Sequence, residues 1–387
     1  MKKKIYTALG LMSGTSMDGV DASIIQSSDG NLYESSTNKY FEYHDELYEN
    51  LTNLRDKINN INDLEKYSDL IKITEKEITL FHANVVDQMI SSSSLEPEII
   101  GFHGQTLFHK PDEKISIQIG DGKLLSQLTK KIVVYNFRKN DLKNDGQGAP
   151  LTPVFHQAMT SKIFKKEELP VLVLNIGGIS NATYIAPNLK NKESELKKEN
   201  SIFAADIGPG NCLIDEWIRK NSKYKYDKNG LIASSGNVNE LILNQSLDNF
   251  CINYENSLDI KDFDVSFVRG LSLEDGAATV TNFTAKIITD KLIKFLNKNN
   301  NESVISKINC LVCGGGRKNR YLMKILNQNL DNIIFFSIDE LGIDGDFVES
   351  QAFAYLAIRS FLKLPISFPK TTGCIKPSCG GVIVKNF

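Results

Sequence analysis

Residues 10–25 read GLMSGTSMDGVDASII. The stretch has the glycines, hydroxyls and acids of a phosphate-binding loop, and it has no lysine. A Walker-type loop needs G-x-x-x-x-G-K-[ST] running into a helix, with its lysine on the phosphates. A dinucleotide fingerprint also opens a helix. Here residues 5–12 form an apolar run, and residues 20–25 alternate Val20, Ala22, Ile24 against Asp21, Ser23, Ile25, so both flanks predict strands. The element is strand–turn–strand. Its backbone N–H groups and the hydroxyls of Thr15 and Ser16 can face a phosphate. Asp18 and Asp21 repel bare phosphate and make sense with a Mg2+ between, directly or through water. An ordinary hairpin accounts for the same residues, since Asp18-Gly19 is a strong turn signal, and the loop alone leaves both readings open.

A similar unit recurs further on. Residues 170–175, PVLVLN, predict a buried strand, 176–180 a glycine turn and 181–185 a returning strand. Two such units suggest a duplicated domain. The length of 387 residues also suggests two domains. Between the units the pattern predicts a mostly polar helical region over 45–91, with Leu70, Ile71, Ile73, Ile78, Leu80 and Phe81 as core positions, then short strands at 99–102, 115–119 and 132–135. After the second unit come a strand at 201–205, a helix from 211 and a long helix at 275–296, with Ala277, Val280, Phe283, Ile287 and Leu292 on or near one stripe. A strand at 308–312, a helix at 317–326, a strand at 335–338 and a helix at 348–362 follow. Alternating strands and helices make the class α/β. The lysine- and glutamate-rich residues 188–200 read as a solvated hairpin tip.

Lys+Arg 45 against Asp+Glu 47 leaves a net charge of −2, with no footprint for nucleic acid or an acidic membrane. No apolar run approaches a transmembrane helix, and the basic start runs straight into the glycine loop, unlike a signal peptide. A cytoplasmic protein is expected. Six scattered cysteines do not make a disulfide scaffold. Cys310 and Cys313 form a C-x-x-C inside a strand, where they face opposite ways, so two strand cysteines are expected rather than a metal pair.

Four further clusters could carry chemistry, each with a plain structural alternative. In FHGQTLFH (102–109), His103, Gln105 and Thr106 follow a strand, where ligand sites gather in α/β sheets, and suit sugar hydroxyls; a hydrogen-bonded structural histidine fits equally. In NFRKNDLKNDGQGAP (136–150), Arg138 could clamp a carboxylate bidentately, or simply lie on the surface. In AADIGPGN (204–211), Asp206 at a strand end beside Gly208 and Gly210 suits a general base, or a helix cap. In CGGGRKN (313–319), Gly314, Gly315 and Gly316 let a flat ring or phosphate approach the backbone, or form a flexible turn. Glu349 opens the last long helix, where an acid suits the helix N-terminus.

Together these stretches resemble one family, the anhydro-N-acetylmuramic acid kinases. The matching motifs are GLMSGTSMDGVDA, HGQTLFH, IQIGDG, VVYNFRKND, GQGAPLTPVFH, LNIGGISNATYI, DIGPGN, LSLEDGAATVTNFTA, CGGGRKN and ESQAFAYLAIR, in family order over nearly the whole chain. The resemblance implies two actin/Hsp70-like (ribonuclease H-like) α/β domains with mixed sheets around a central ATP cleft, one of residues 1–140 with 350–387 and one of 141–349. It implies ATP and Mg2+ as cofactors, a small sugar substrate, and often a homodimer. On this likeness Asp206 is the base, and Gly14, Thr15, Ser16, Met17, Asp18, Gly19, Val20, Asp21, Gly208, Gly210, Gly314–Gly316 and Glu349 hold the nucleotide. His103, Gln105, Thr106 and Arg138 hold the sugar, Arg138 on its lactyl carboxylate. Metal ligands are not assigned. Two departures stand out: Ile207 replaces the family's usual threonine after the base, removing a hydroxyl near it, and residues 255–260 lack the basic residues of a common Pro-Lys-Ser stretch. An actin/Hsp70-like nucleotide switch and a kinase for another amino sugar are the alternatives.

Overall fold

The computed structural model describes residues 4–28, 32–187, 201–250, 257–299 and 307–387. The insertion at 188–200, Cys251 and residues 255 and 256 lie outside this set. The chain forms two compact units, Met1–Lys162 with Phe347–Phe387, and Ile163–Asp346. A cut between residues 140 and 141 would fall inside a short helix of the first unit.

The first unit's strands are β1 (Ile5–Ser13), β2 (Gly19–Ser28), β3 (Leu32–Glu42), β4 (Ile99–Lys110), β5 (Ile115–Ile119) and β6 (Ile132–Tyr135). The second unit holds β7 (Val171–Ile176), β8 (Ile179–Ile185), β9 (Ile202–Pro209), β10 (Ile308–Cys313) and β11 (Ile333–Ser337), and β12 (Val382–Val384) returns to the first. The first sheet runs β12-β6-β4-β1-β2-β3, with β5 paired to β4. The second runs β11-β10-β7-β8-β9. In each, three consecutive strands form an antiparallel meander, and the first of them is flanked by parallel strands. The expected duplication is therefore one strand order built twice, the mixed α/β topology of the actin/Hsp70/sugar-kinase class.

Helices alternate with these strands in the first unit. They are α1 (Asp45–Lys57), α2 (Ile61–Lys66), α3 (Ser68–Ser92), α4 (Gly122–Thr129), α5 (Lys139–Lys143) and α6 (Pro153–Ile163). The polar region at 45–91 is thus three helices, with Asn60 capping α2 through a reciprocal box with Asp63. The buried face of α3 is Thr74, Ile78, Thr79, His82, Val85, Val86 and Met89. Ile73 and Leu80, read as core, are exposed, because the helical period that buries Ile78 turns them outward. Leu9, Leu11, Ile100 and Phe102 meet Leu47, Leu51 and Ile78 in this core.

The second unit's helices are α7 (Cys212–Asn221), α8 (Leu231–Ser235), α9 (Glu240–Asp248), α10 (Leu273–Asn299) and α11 (Arg320–Asn329), while α12 (Val348–Phe361) and α13 (Pro369–Thr372) belong to the first. A strand buried on both faces needs small residues wherever a helix backbone lies on it. A Cβ on Gly10 would lie 1.9 Å from Ser350 O, and one on Gly101 2.2 Å from Phe353 O. These glycines let α12 rest directly on β1 and β4. In the second unit α10 serves two cores. Ala285, Ile288, Leu292 and Leu296 pack on the sheet, while Ala277, Val280, Phe283 and Ile287 pack around Trp217. The single expected stripe is thus two.

Candidate active site

The first turn joins β1 to β2. Met17 N–H donates to Gly14 O at 3.2 Å, and Met17 itself is buried in the left-handed region at φ 59°. Burying Met17 turns Thr15 and Ser16 outward, and both are exposed. Ser16 Oγ donates to Asp18 Oδ1 at 2.6 Å. Gly19 is tight, since a Cβ there would meet Phe41 O at 2.4 Å. Polar groups hold this turn from beneath. Gln105, fully buried, donates its amide to Gly14 O at 2.9 Å. Tyr43 N–H donates to Asp18 O at 2.8 Å. Ser13 Oγ lies 2.8 Å from Tyr43 Oη and 3.2 Å from His82 Nε2. Burial holds His82 neutral, its pKa pushed down to about 4. Burial, and secondarily the charge of Asp18, pushes the Tyr40 hydroxyl well above its ordinary range.

The polar cluster of β4 differs from its expectation. Residues 102–109 continue the strand instead of following it, because β5 pairs with them from Gln105 to Lys110. Gly104, at φ 73°, absorbs the bend. The three expected sugar residues therefore part company. Gln105 goes under the phosphate turn. His103 meets Arg138: its Nδ1–H donates to Gly104 O at 2.7 Å, so its bare Nε2 accepts from Arg138 Nη2 at 3.2 Å. Burial, then the Arg138 charge, pulls His103 down to about 3. Thr106 Oγ1 accepts from Gln118 Nε2 at 3.3 Å. Gln118 also donates to Ser116 Oγ at 2.8 Å, which in turn lies 2.9 Å from His109 Nδ1. The next loop hangs on the buried Asp141, whose carboxylate accepts from Gly148 N and Thr372 Oγ1, both at 2.7 Å. Glu349 sits in the first turn of α12.

In the second unit the expected glycines do come together. Asn211 N–H donates to Gly177 O at 2.7 Å and Gly210 N–H to Gly178 O at 2.9 Å. A Cβ on Gly210 would lie 2.2 Å from Gly177 O, and one on Gly314 2.7 Å from Ile176 O. The residue expected to open a helix, Arg317, instead lies within a 3-10 turn, Gly315–Lys318, and Asn319 caps α11 by accepting from Leu322 N at 3.0 Å. The Arg317 side chain is almost fully buried. It binds Asp339 through Nε at 2.7 Å and Nη2 at 2.9 Å, and Nη1 reaches Asp346 and Gly314 O. This bidentate pair holds Asp339 well below the usual carboxylate range.

Asp206 lies inside β9, not beyond its end. Register aligns Asn175, Asn181 and Asp206 across β7, β8 and β9, on the face opposite Leu172, Leu174 and Ile207. Asp206 Oδ2 accepts from Leu258 N at 2.7 Å. Two expectations change here. Ile207 points into the core, 1% exposed, so the hydroxyl that it replaces is not beside the base. The segment lacking basic residues supplies instead a main-chain donor to Asp206. No side-chain pattern marks Leu258 for this, since its N–H does the work.

The two sheets of like strand order place the chain in the α/β class of the actin/Hsp70/sugar-kinase fold. A family model described as Anhydro-N-acetylmuramic acid kinase matches residues 6–386. The chain belongs to that family. The anhydro-N-acetylmuramic acid kinase of Pelagibacter ubique (strain HTCC1062) is 54% identical over 390 residues, covering 100% of both chains. Those of Rhizobium etli and Brucella canis are 38% identical over 384 residues and 37% over 385, each covering 98% of both chains. Among solved structures, a ROK family glucokinase from Streptomyces griseus aligns over 91% of this chain and 99% of its own, at 10% identity and a TM-score of 0.37, too loosely to argue from. Among the described residues no helix is long and apolar enough to cross a membrane.

Proposed function

We propose that this chain is an ATP-dependent kinase that hydrolytically opens 1,6-anhydro-N-acetylmuramic acid and phosphorylates O6, in cell-wall sugar recycling. The products are N-acetylmuramic acid 6-phosphate and ADP. The observation that carries this is family membership from residue 6 to residue 386.

In this reading Asp206 takes a proton from water as the water oxygen bonds to the anomeric carbon. The bond from that carbon to O6 breaks, and its electron pair stays on O6. O6 bonds to the γ-phosphorus as the bond to ADP breaks. An inverting glycosidase needs an acid for its leaving oxygen; here the phosphoryl group captures it, so one carboxylate suffices. The Leu258 N–H fixes the rotamer of Asp206 toward its task. Arg138, oriented by neutral His103, holds the lactyl carboxylate, and Thr106 lines the sugar. Gln105 serves the sugar side and the turn together. The turn from Gly14 to Asp21 faces the phosphates with main-chain N–H groups and the Thr15 hydroxyl, while Ser16 contributes through Asp18, to which it donates. Gly314–Gly316 pass the adenosine, and Gly208, Gly210 and Glu349 are read as further nucleotide contacts. Mg2+ fits this donor set: Asp18 is a partly exposed hard oxygen ligand with a hydroxyl on it, and a nucleotide-bound Mg2+ needs only one or two carboxylates. When bound, the ion offsets phosphate charge.

Each unit is read as one actin-like domain, and the protein as a cytoplasmic homodimer, which sedimentation at working concentration checks. The decisive assay supplies ATP, Mg2+ and the anhydro sugar. Equal amounts of ADP and 6-phosphate sugar are expected. ADP release indifferent to sugar would favour a nucleotide switch, and turnover of a different amino sugar alone would move the substrate.

A further inference from the structure

We infer that Tyr43 and His82 are positioning residues for ATP: with Ser13 they close the phosphate turn at both of its ends. The inference rests on reading residues 14–21 as the phosphate site.

The direction of every proton in this network follows from one acceptor. His82 Nδ1 lies 2.7 Å from Ile78 O. A carbonyl only accepts, so Nδ1 carries the hydrogen. His82 is fully buried and neutral, so Nε2 is a bare lone pair. Ser13 Oγ, 3.2 Å away, donates to it. The remaining lone pairs of Ser13 then accept from Tyr43 Oη–H at 2.8 Å. Tyr43 also donates its main-chain N–H to Asp18 O. One residue thus holds the last residue of β1 through its hydroxyl and the end of the turn through its backbone. Its ring is fixed edge-on by Phe81 at 4.8 Å, and the His82 ring by Phe102 at 4.9 Å. Ser13 and Tyr43 are 1% and 4% exposed.

The hydroxyls of SGTS therefore divide. The Ser13 proton is committed inward and the Ser16 proton to Asp18, while Thr15 faces out from a turn whose two ends are pinned. Preorganised donors are worth more than mobile ones because they do not reorganise when charge arrives. Loss of a pin should weaken ATP binding without touching the sugar.

The test measures ATP affinity by calorimetry, the KM for sugar, and thermal unfolding, on the full chain. Tyr43→Phe keeps the ring and removes only the hydroxyl. It should raise the ATP Kd by about threefold to tenfold, the scale of one hydrogen bond, with the KM for sugar unchanged. Ser13→Ala should do the same. The double variant should be no worse than either single one, since both cut the same link. Additive losses would mean that Ser13 reaches the phosphate itself and would overturn the inference, as would ATP affinity within twofold of wild type in Tyr43→Phe. His82→Phe provides a third arm, with the same shift in ATP Kd expected. A wild type that binds ATP but does not phosphorylate the sugar would sink the proposed reaction and leave this inference standing.

Discussion

The β1–β2 turn and the β7–β8 turn occupy equivalent places in equivalent sheets, yet they are held in opposite ways. The first is pinned by neutral side chains: Gln105, Ser13, Tyr43 and His82. The second is stacked backbone on backbone through Gly177, Gly178, Gly210 and Asn211, and the loop beside it is locked by the charges of Arg317, Asp339 and Asp346. The same strand order therefore does not dictate how a turn is stiffened. A turn held by buried side chains keeps charges out of its support. A turn stacked backbone on backbone needs room instead, and glycine supplies it.

The largest expected effect lies outside both turns. Asp206→Asn keeps the Leu258 contact, folds and binds ATP, but should lose about 10²- to 10⁴-fold in kcat, the usual worth of a general base; near-normal turnover would remove Asp206 from that role. Next comes the contrast in steric room. Gly210→Ala should lower stability by about 1–3 kcal/mol, the scale of an overpacked core, because its Cβ meets a carbonyl at 2.2 Å, whereas the nearest atom to a Cβ on Gly14 is 3.8 Å away. Gly14→Ala should therefore unfold at nearly the wild-type temperature, and equal losses in melting scans would break the comparison.

Acid should separate the two units. Of the five histidines, His82 is lowered from 6.5 to about 4, and His103, His109 and His156 to about 3, burial being the first cause in each. All four lie in the first unit. A buried neutral base binds fewer protons folded than unfolded, so this stability is present above pH 6.5 and drains as pH falls toward 4. Asp339 is depressed, so its pairing with Arg317 is present above 3.8 and is lost only at lower pH. Between about pH 4 and 6 hydrogen exchange should rise in the first unit before the second. Simultaneous opening would argue against neutral bracing. Arg317→Lys gives up the fork on Asp339 and should raise the KM for ATP by about tenfold, matching one charged hydrogen bond, as initial-rate kinetics will show. The smallest effect belongs to Ile207→Thr. Its side chain faces the core, so turnover should stay within about threefold, while a buried hydroxyl without a partner costs about 1–3 kcal/mol of stability by denaturant titration.

Much of this was legible from local pattern. The alternation at 20–25, the apolar run at 170–175 and the glycines at 314–316 each declare an element or a tight turn within a few residues. The site's supports did not, because they depend on partners far away in the chain. Nothing near residue 82 says that a histidine on a buried helical face will meet Ser13, 69 positions earlier. Arg317 was visible only as part of a motif, and its acceptors lie 22 and 29 positions on. Pairing with β5, across a register shift between Thr106 and Phe108, lengthened β4 and drew His103, Gln105 and Thr106 apart. Ile207 was misread for a related reason: adjacency to Asp206 in sequence means the opposite face in a strand.

Helix α12 has a consequence for how the protein is made. It rests on Gly10 and Gly101, yet it begins at residue 348. On the ribosome all of the first sheet but β12 is thus synthesised early and waits, one face uncovered, while the whole second unit emerges. That second unit, Ile163–Asp346, is continuous in the chain and can close as soon as it is complete. The half of the protein that is translated first is therefore the half that finishes last, and its apolar β1 and β4 are what a nascent-chain chaperone would meet.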